Sequence, residues 1–490
     1  MQVRERAEMT GRSLSQGQAF GNRERVYGSG FSVAQSGRQK LMQLVAFTDF
    51  VVLAVFILYA VHVVVSPQDS QVIVEQGAMD STAYGQLING SYGQVFFLLY
   101  AALRSLSFPR AYFALIKPLG ILSVFALLST AWSIEPLTTL HRAFDLFLCV
   151  MMPAFLVHAR GFSQCCRAVW ITLSGIILLS VLMALAGIDY ALMKGAHTGL
   201  WRGLFDHKNA FAPVAACLAI LSFLMPVSVV RPRWLTLGMT GVALVAVAFA
   251  GSATTYIGLA IAAIAIALRK LCERLSLSVV TTFIMMVGII SAGATIAYVV
   301  AVAVLKFLGR SATLTGRTPL WEAAMPYTLK APVGYGYGLG GGEDILNAVR
   351  VEGGWLVAPS LHSGYVTLAM DLGWAASVLF ALFLLSKILI LDKRNPRMDN
   401  FMLMSAGFAA LNLSLAFTES PFGAYLSAPL LLIMLADQAP RARSRRAAKE
   451  AAPATPAAAY RRILEGVEPE TEGQRQHQHA TGEGGGQVQP

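Results

Sequence analysis

Charge is what this chain has least of. Only 13% of its 490 residues are Asp, Glu, Lys or Arg, whereas 56% are hydrophobic, well below the roughly one quarter charged that a soluble domain carries. A water-soluble globule of this size is excluded on that ground. The pattern that remains is an all-α integral membrane protein. A hydrocarbon core of about 30 Å asks for roughly 20 apolar residues per helix, and about twelve such segments fit along the chain. They begin near Leu41, Val95, Tyr112, Leu140, Ala168, Ala210, Trp234, Tyr256, Val279, Val366, Phe401 and Ala424.

Cysteine is sparse as well. Cys149, Cys165, Cys166, Cys217 and Cys272 fall within spans or in turns on one side, so no disulfide framework is implied. Residues 1–40 lack the short basic region and early apolar core of a cleaved signal. The first span is therefore expected to act as the insertion signal. Beyond Pro440 the composition shifts to Ala, Pro, Glu, Gln, Gly and His, from RARSRRAAK to GEGGGQVQP, too polar to bury a core. The expected organisation is a cytoplasmic N-terminal segment at 1–40, a polytopic membrane domain at 41–436 and a disordered cytoplasmic tail at 437–490.

A third scarcity sets the orientation. The loops after the first, third, seventh and eleventh spans contain no Lys or Arg, while the opposite turns hold Arg104, Arg110, Arg160, Arg167, Arg231, Arg233, Arg269, Lys387, Lys393, Arg394 and Arg397. The positive-inside rule then puts both termini in the cytoplasm. The net charge of +11 is accounted for by those turns, the tails and anionic headgroups. No nucleic-acid partner is needed.

Two outer loops break this pattern. One, from about Asp189 to Lys208, holds Lys194, Arg202 and Lys208; the other, from about Lys306 to Ser363, holds Lys306, Arg310, Arg317, Lys330 and Arg350. Cations placed against the topology signal point to an anionic ligand on the outer face; snorkelling to headgroups or pairing with nearby carboxylates is the plainer alternative. In GLWRGLFDHKNAFAP, Gly199 and Gly203 permit tight turns, Asp206 or Asn209 can cap the helix starting near Ala210, and His207 and Lys208 lie beside its first amides. A helix start flanked by Arg and Lys suits a phosphate.

In LTGRTPLWEAAMPYTLKAPVGYGYGLGGG, Thr318 and Pro319 predict the N-cap and first residue of a short amphipathic helix, with Leu320, Trp321, Ala324 and Met325 on one face and Arg317 just before it. The glycines that follow form a close-approach loop, but no strand precedes them and no P-loop lysine is present, so a nucleotide site is disfavoured. His362, in PSLHSGYVTLAMDLGW, stands at the mouth of the next span. Beside a cluster of arginines, neutral imidazole is the natural general base.

RGLFDHKNAFA, TGRTPLW with APVGYGYG, and HSGYVTLAMDLGW, in that order around a long outer loop, resemble the O-antigen ligase and polymerase superfamily, in particular its exopolysaccharide-production polymerase branch, and the turn STAWSIEPLTTLHRA after the third span is similar to that family too. The resemblance runs from about residue 110 to 435. It implies an inner-membrane glycosyltransferase with its active site facing the periplasm. Such an enzyme takes glycan from an undecaprenyl pyrophosphate carrier and gives it to a sugar hydroxyl on another lipid-linked unit or on lipid A core.

It further implies that Arg202 and Arg317 bind the pyrophosphate and that His362 is the base on the acceptor, with His207, Lys208 and Asn209 in the matching motif. Arg350 is taken as a further substrate-binding candidate. Many ligases carry Asn or Ser two positions after the loop histidine; here Gly364 takes that place, which favours the polymerase. The partners implied are the lipid-linked oligosaccharide and membrane lipids, with a chain-length regulator and a flippase as protein candidates. No cofactor and no metal are expected, because the chain contains no Asp-x-Asp pair and its outer loops no tight His and carboxylate cluster. A carrier of lipid-linked sugars is the rival class, but no clear repeat relates the two halves.

Overall fold

The computed structural model describes residues 45, 47–58, 94–103, 106–275, 278, 280–281, 283–285, 287–289, 317–356, 358, 360–389, 400–417, 419 and 432–433. The segment 1–40, the tail 437–490, most of the ninth span, the last span apart from 432–433, Arg104, Lys306, Arg310, Lys393, Arg394 and Arg397 lie outside the described residues. Among the described residues there is no strand, only one isolated bridge between Leu192 and Trp201.

Four helices are long and apolar enough to cross a membrane: Pro136–Arg160, Phe162–Leu185, Arg233–Ala250 and Ala253–Cys272. Six shorter apolar helices accompany them: Phe47–Leu58, Gln94–Leu103, Pro118–Ala131, Lys208–Leu224, Trp374–Leu389 and Asn400–Leu415. In chain order we label α1 Phe47–Leu58 and α2 Gln94–Leu103, α3 Pro118–Leu128, α4 Pro136–Arg160, α5 Phe162–Leu185, α6 Lys208–Leu224, α7 Arg233–Ala250, α8 Ala253–Arg274, α9 Arg317–Lys330, α10 Gly342–Glu352, α11 Gly364–Leu372, α12 Trp374–Leu389 and α13 Asn400–Leu415.

α6 is the hub. It is apolar on every face and buried from Phe211 to Leu224 except at Phe223, the mark of a helix enclosed by others. It packs on α5, α7, α8 and α13. α5 and α7, by contrast, leave Leu178, Leu179, Leu182, Leu185, Leu244, Val245 and Phe249 exposed. Apolar faces of that extent are stable only against an apolar medium, so the chain is a membrane protein. All five cysteines are free and buried.

At one end of the bundle, arginines from the turns read as cytoplasmic hold neighbouring helices. Arg269 on α8 donates to the Lys387 and Ile388 carbonyls that end α12, Arg233 on α7 to Met225 O beyond α6, and Arg160 on α4 pairs with buried Asp49 on α1. Cations against C-terminal carbonyls also suit the helix dipole.

Among the described residues, four helices reach spanning length, against roughly twelve spans expected. Two expected spans are broken: the one from Tyr112 into a short 3-10 helix at Pro109–Ala114 and α3, and the one from Val366. The apolar run from Val366 is not one helix but two, α11 and α12, separated at Gly373 with φ +85°. A Cβ there would run into the Pro332 carbonyl oxygen. The break lets the glycine-rich loop reach α11: Tyr335 N donates to Met370 O at 2.8 Å and Gly336 N to Asp371 O at 3.1 Å. The Asp371 carboxylate then accepts from the Gly338 and Gly340 amides at 2.9 and 2.6 Å. A row of backbone amides around an anion is what a glycine loop can form, and here the chain's own carboxylate fills it.

Candidate functional site

The first limb of the site precedes α6. Gly203, at φ +59°, turns the chain where a Cβ would collide with Ser180, and this turn swings Arg202 inward. The guanidinium is buried. Its Nε donates to Tyr190 O at 2.8 Å, one terminal nitrogen to Asp206 O at 3.2 Å, and its carbon lies 5.1 Å from the centre of the Tyr190 ring.

The cap of α6 is His207, not Asp206 or Asn209: its Nδ1 accepts from Asn209 N at 3.1 Å. The usual ranking of cap residues favours Asn and Asp. Here Asn209 is instead engaged by its side chain elsewhere. Lys208, the first helical residue, donates to Gly251 O at 3.1 Å and so ties α6 to the end of α7.

The second limb is the described part of the long loop. α9 begins at Arg317, two residues before the Pro319 start that Thr318 as cap would give, so Arg317 belongs to its first turn. Its buried face is Leu320, Ala324 and Thr328, while Met325 is exposed. With Val349 of α10, Ala358, Leu361, Val366 and Met370 it forms a small core, and so the apolar stripe is spent on the loop itself and on α11.

Arg350 is buried inside this unit, donating to Ala358 O at 2.7 Å, Asn347 Oδ1 at 2.7 Å and Glu343 Oε1 at 2.9 Å. These bonds fix the strand of loop that leads to His362. There, Trp321 Nε1 donates to Leu361 O at 2.8 Å, Ser363 caps α11, and the His362 ring stacks on Trp355 with centroids 4.9 Å apart. His362 has φ +47°, a left-handed conformation that costs a non-glycine residue of order 1 kcal/mol and persists only where the surroundings enforce it. Its Nε2 is enclosed and has no hydrogen-bond partner among the described residues.

Three further turns join the limbs. Asn209 Oδ1 accepts from Ser252 Oγ in the α7–α8 turn at 3.1 Å, and Asn209 Nδ2 donates to Glu419 Oε1 beyond α13 at 3.1 Å. The same Glu419 oxygen lies 3.9 Å from an Arg317 nitrogen. Gly364 N donates to Ala416 O at 2.7 Å and Glu419 O at 3.0 Å. The α3–α4 turn holds the glycine loop, with Tyr337 N on Ser129 Oγ at 3.1 Å and Arg142 on Gly338 O. Every loop placed on the outer face by its charge and described here thus meets at one end of the bundle.

The electrostatics follow from this convergence. Burial first, then the charge of Arg317 and the ring of His207, push His362 down to about 4. Burial also lowers His207, although Asp206 pulls the other way. Glu419 is pushed up by burial to about 7, against the pull of Arg317. His362 is therefore a neutral imidazole at ambient pH, facing a cation, with one nitrogen available to take a proton. Arg317 and His207 are thus the two groups whose charge reaches His362. Arg202 is on the same limb as His207, turned to backbone carbonyls, and Arg350 lies within the loop.

The sequence reading missed Glu419, Ser252, Trp355 and Asp371. Glu419 and Ser252 occur in turns that drew attention only for lacking basic residues. Asp371 is adjacent to the break that a run of apolar residues conceals.

Residues 237–381 match a family model described as O-antigen ligase. The matched stretch contains Arg317, Arg350 and His362, while Arg202 to Asn209 precede it. No curated protein and no solved structure matches the chain.

Proposed function

We propose that this chain, which belongs to the O-antigen ligase and polymerase superfamily, is a polysaccharide polymerase of the bacterial inner membrane. It moves glycan from an undecaprenyl pyrophosphate-linked repeat unit to a hydroxyl of another lipid-linked unit on the periplasmic side. The observation that carries this reading is His362: an enclosed imidazole whose Nε2 has no hydrogen-bond partner among the described residues, within reach of the charge of Arg317 and the ring of His207 where the outer loops converge.

In the reaction, His362 Nε2 accepts the proton of the incoming hydroxyl as its oxygen bonds to the anomeric carbon, a contribution on the order of 10² to 10⁴ in rate. The bond from that carbon to the pyrophosphate breaks, and the charge left on the pyrophosphate is stabilised by Arg317, a fork that matches phosphate oxygens. Arg202, His207, Lys208 and Asn209 supply the positive, amide-rich second wall. Attack opposite the departing phosphate inverts the anomeric centre. The pyrophosphate also acts on the base: its negative charge offsets the repulsion between Arg317 and a protonated His362, so the imidazole gains proton affinity once the donor is bound. Arg350 positions the segment before His362 through Ala358.

The test is polymer size in a null strain complemented with wild type, His362→Ala or Arg317→Ala, with the lipid-linked pool extracted. Accumulation of single repeat units in the variants is expected. If repeat units still polymerise and only attachment to lipid A core fails, the chain is a ligase. If lipid-linked units never reach the periplasm, it is a transporter.

A further inference from the structure

Glu419 is delivered to the site by a rigid backbone. Its N donates to Leu415 O at 2.8 Å at the end of α13, and its O accepts from Gly364 N at the start of α11. The half-buried carboxylate is therefore aimed at two residues in the first turns of helices, Arg317 on α9 and Asn209 on α6. The 3.9 Å to Arg317 is an ion pair rather than a hydrogen bond. Its side-chain neighbours are Arg317 from α9 and Asn209 from α6; Asn209 is held in turn by Ser252 of the α7–α8 turn, His207 caps α6 and Lys208 begins it, and Arg317 is the charge that also acts on His362 before α11.

We propose that Glu419 is a positioning residue that occupies Arg317 and Asn209 while the site is empty and takes up a proton to release them when the donor's pyrophosphate arrives. The proposal rests on the reading that Arg317 contacts that pyrophosphate. A lipid-linked diester brings two negative charges to the cation that Glu419 faces. Like charges held a few ångströms apart cannot both persist out of water, and the group with the readiest proton gives way.

Glu419 meets that description. Burial has already raised its carboxyl to about 7, and a phosphate on Arg317 removes the charge that opposes the shift. The proton comes from solvent and goes to the carboxylate; no covalent bond changes. Once neutral, the carboxyl lets go of the guanidinium and of the Asn209 amide and offers its O–H to a phosphate oxygen. Donor binding thereby becomes coupled to one proton, and the resting guanidinium is kept aligned for the ligand that replaces the carboxylate.

The experiment uses the full-length protein in nanodiscs and a dialkyl pyrophosphate diester, whose own charge does not change between pH 6 and 8. A single carboxylate that must be protonated, with pKa about 7, weakens binding about tenfold from pH 6 to pH 8 in wild type. Calorimetry in two buffers of different ionisation enthalpy should show up to one proton taken up at the upper end. Glu419→Gln should give a Kd that no longer changes with pH, and Glu419→Asp should retain the dependence. A wild-type Kd that is flat over this range, or an unaltered dependence in Glu419→Gln, overturns the proposal and leaves the anion site standing. If wild type and Arg317→Ala bind the diester equally, or neither binds it, the donor-site reading itself falls and this inference with it.

Discussion

The loop before α6 and the loop before α11 each present an arginine and a histidine, yet hold them in opposite ways. Before α6 the polar atoms are engaged: Arg202 on two backbone carbonyls and a tyrosine face, His207 as a helix cap. Before α11 the arginine is held by a carboxylate 3.9 Å away, and the histidine is strained, stacked and enclosed, with Nε2 lacking a hydrogen-bond partner among the described residues. Identical residue types thus make a rigid wall on one side and a poised reacting group on the other. What separates the two histidines is that one ring nitrogen caps a helix while the other has no hydrogen-bond partner among the described residues.

The largest effect should come from giving both histidines the same replacement. Asparagine accepts an N-cap bond and tolerates left-handed backbone but cannot take a proton. His362→Asn is expected to cut glycan transfer by about 10² to 10⁴ without lowering the melting temperature, whereas His207→Asn should cost less than about tenfold. Equal losses at both positions would erase the contrast.

The arginines offer the next test. Arg317→Ala should reduce transfer by about 10² at nearly unchanged stability. Arg202→Ala should chiefly destabilise, because the carbonyls of Tyr190 and Asp206 are left unpaired at about 1–3 kcal/mol. Thermal unfolding beside initial rates separates the two.

The smallest effect sharpens the contrast from within the second loop. Trp355→Ala uncovers the His362 ring, and burial is the main cause that holds it near 4. A lowered pKa keeps the imidazole neutral at ambient pH, so activity is lost only as pH falls through the folded value. Without the indole that acid limb of kcat/KM should move upward toward the ordinary histidine range, with a rate loss of only about a few-fold. An unmoved limb would show that Trp355 does not shield the ring.

Much of this was legible before any coordinates. The charge asymmetry of the loops identified which turns share a face, and the two loops that violate it contain Arg202, His207, Arg317 and His362. What stayed hidden depends on contacts distant in sequence. The glycine loop finds its anion in Asp371, 31 and 33 residues from the amides that bind it. Gly373 breaks a run that hydropathy averaging joins, and His207 displaces the better-ranked caps because Asn209 is drawn toward Ser252 and Glu419. A turn without cations conceals a carboxylate that matters, since the orientation rule is blind to acids. The four long helices were expected, whereas the brevity of α6 and α11 was not.

The hydrogen bond from Asn209 to Glu419 spans 210 residues of chain, and this has a consequence for biosynthesis. Arg202 and His207 emerge from the ribosome long before Arg317, and Glu419 follows after a further hundred or so residues. A nascent chain halted between α11 and α13 therefore possesses both histidines and neither the aligned guanidinium nor its keeper. Completion of the site therefore waits until α13 has been made and placed beside α8 and α12, which ties the onset of activity to the docking of that helix.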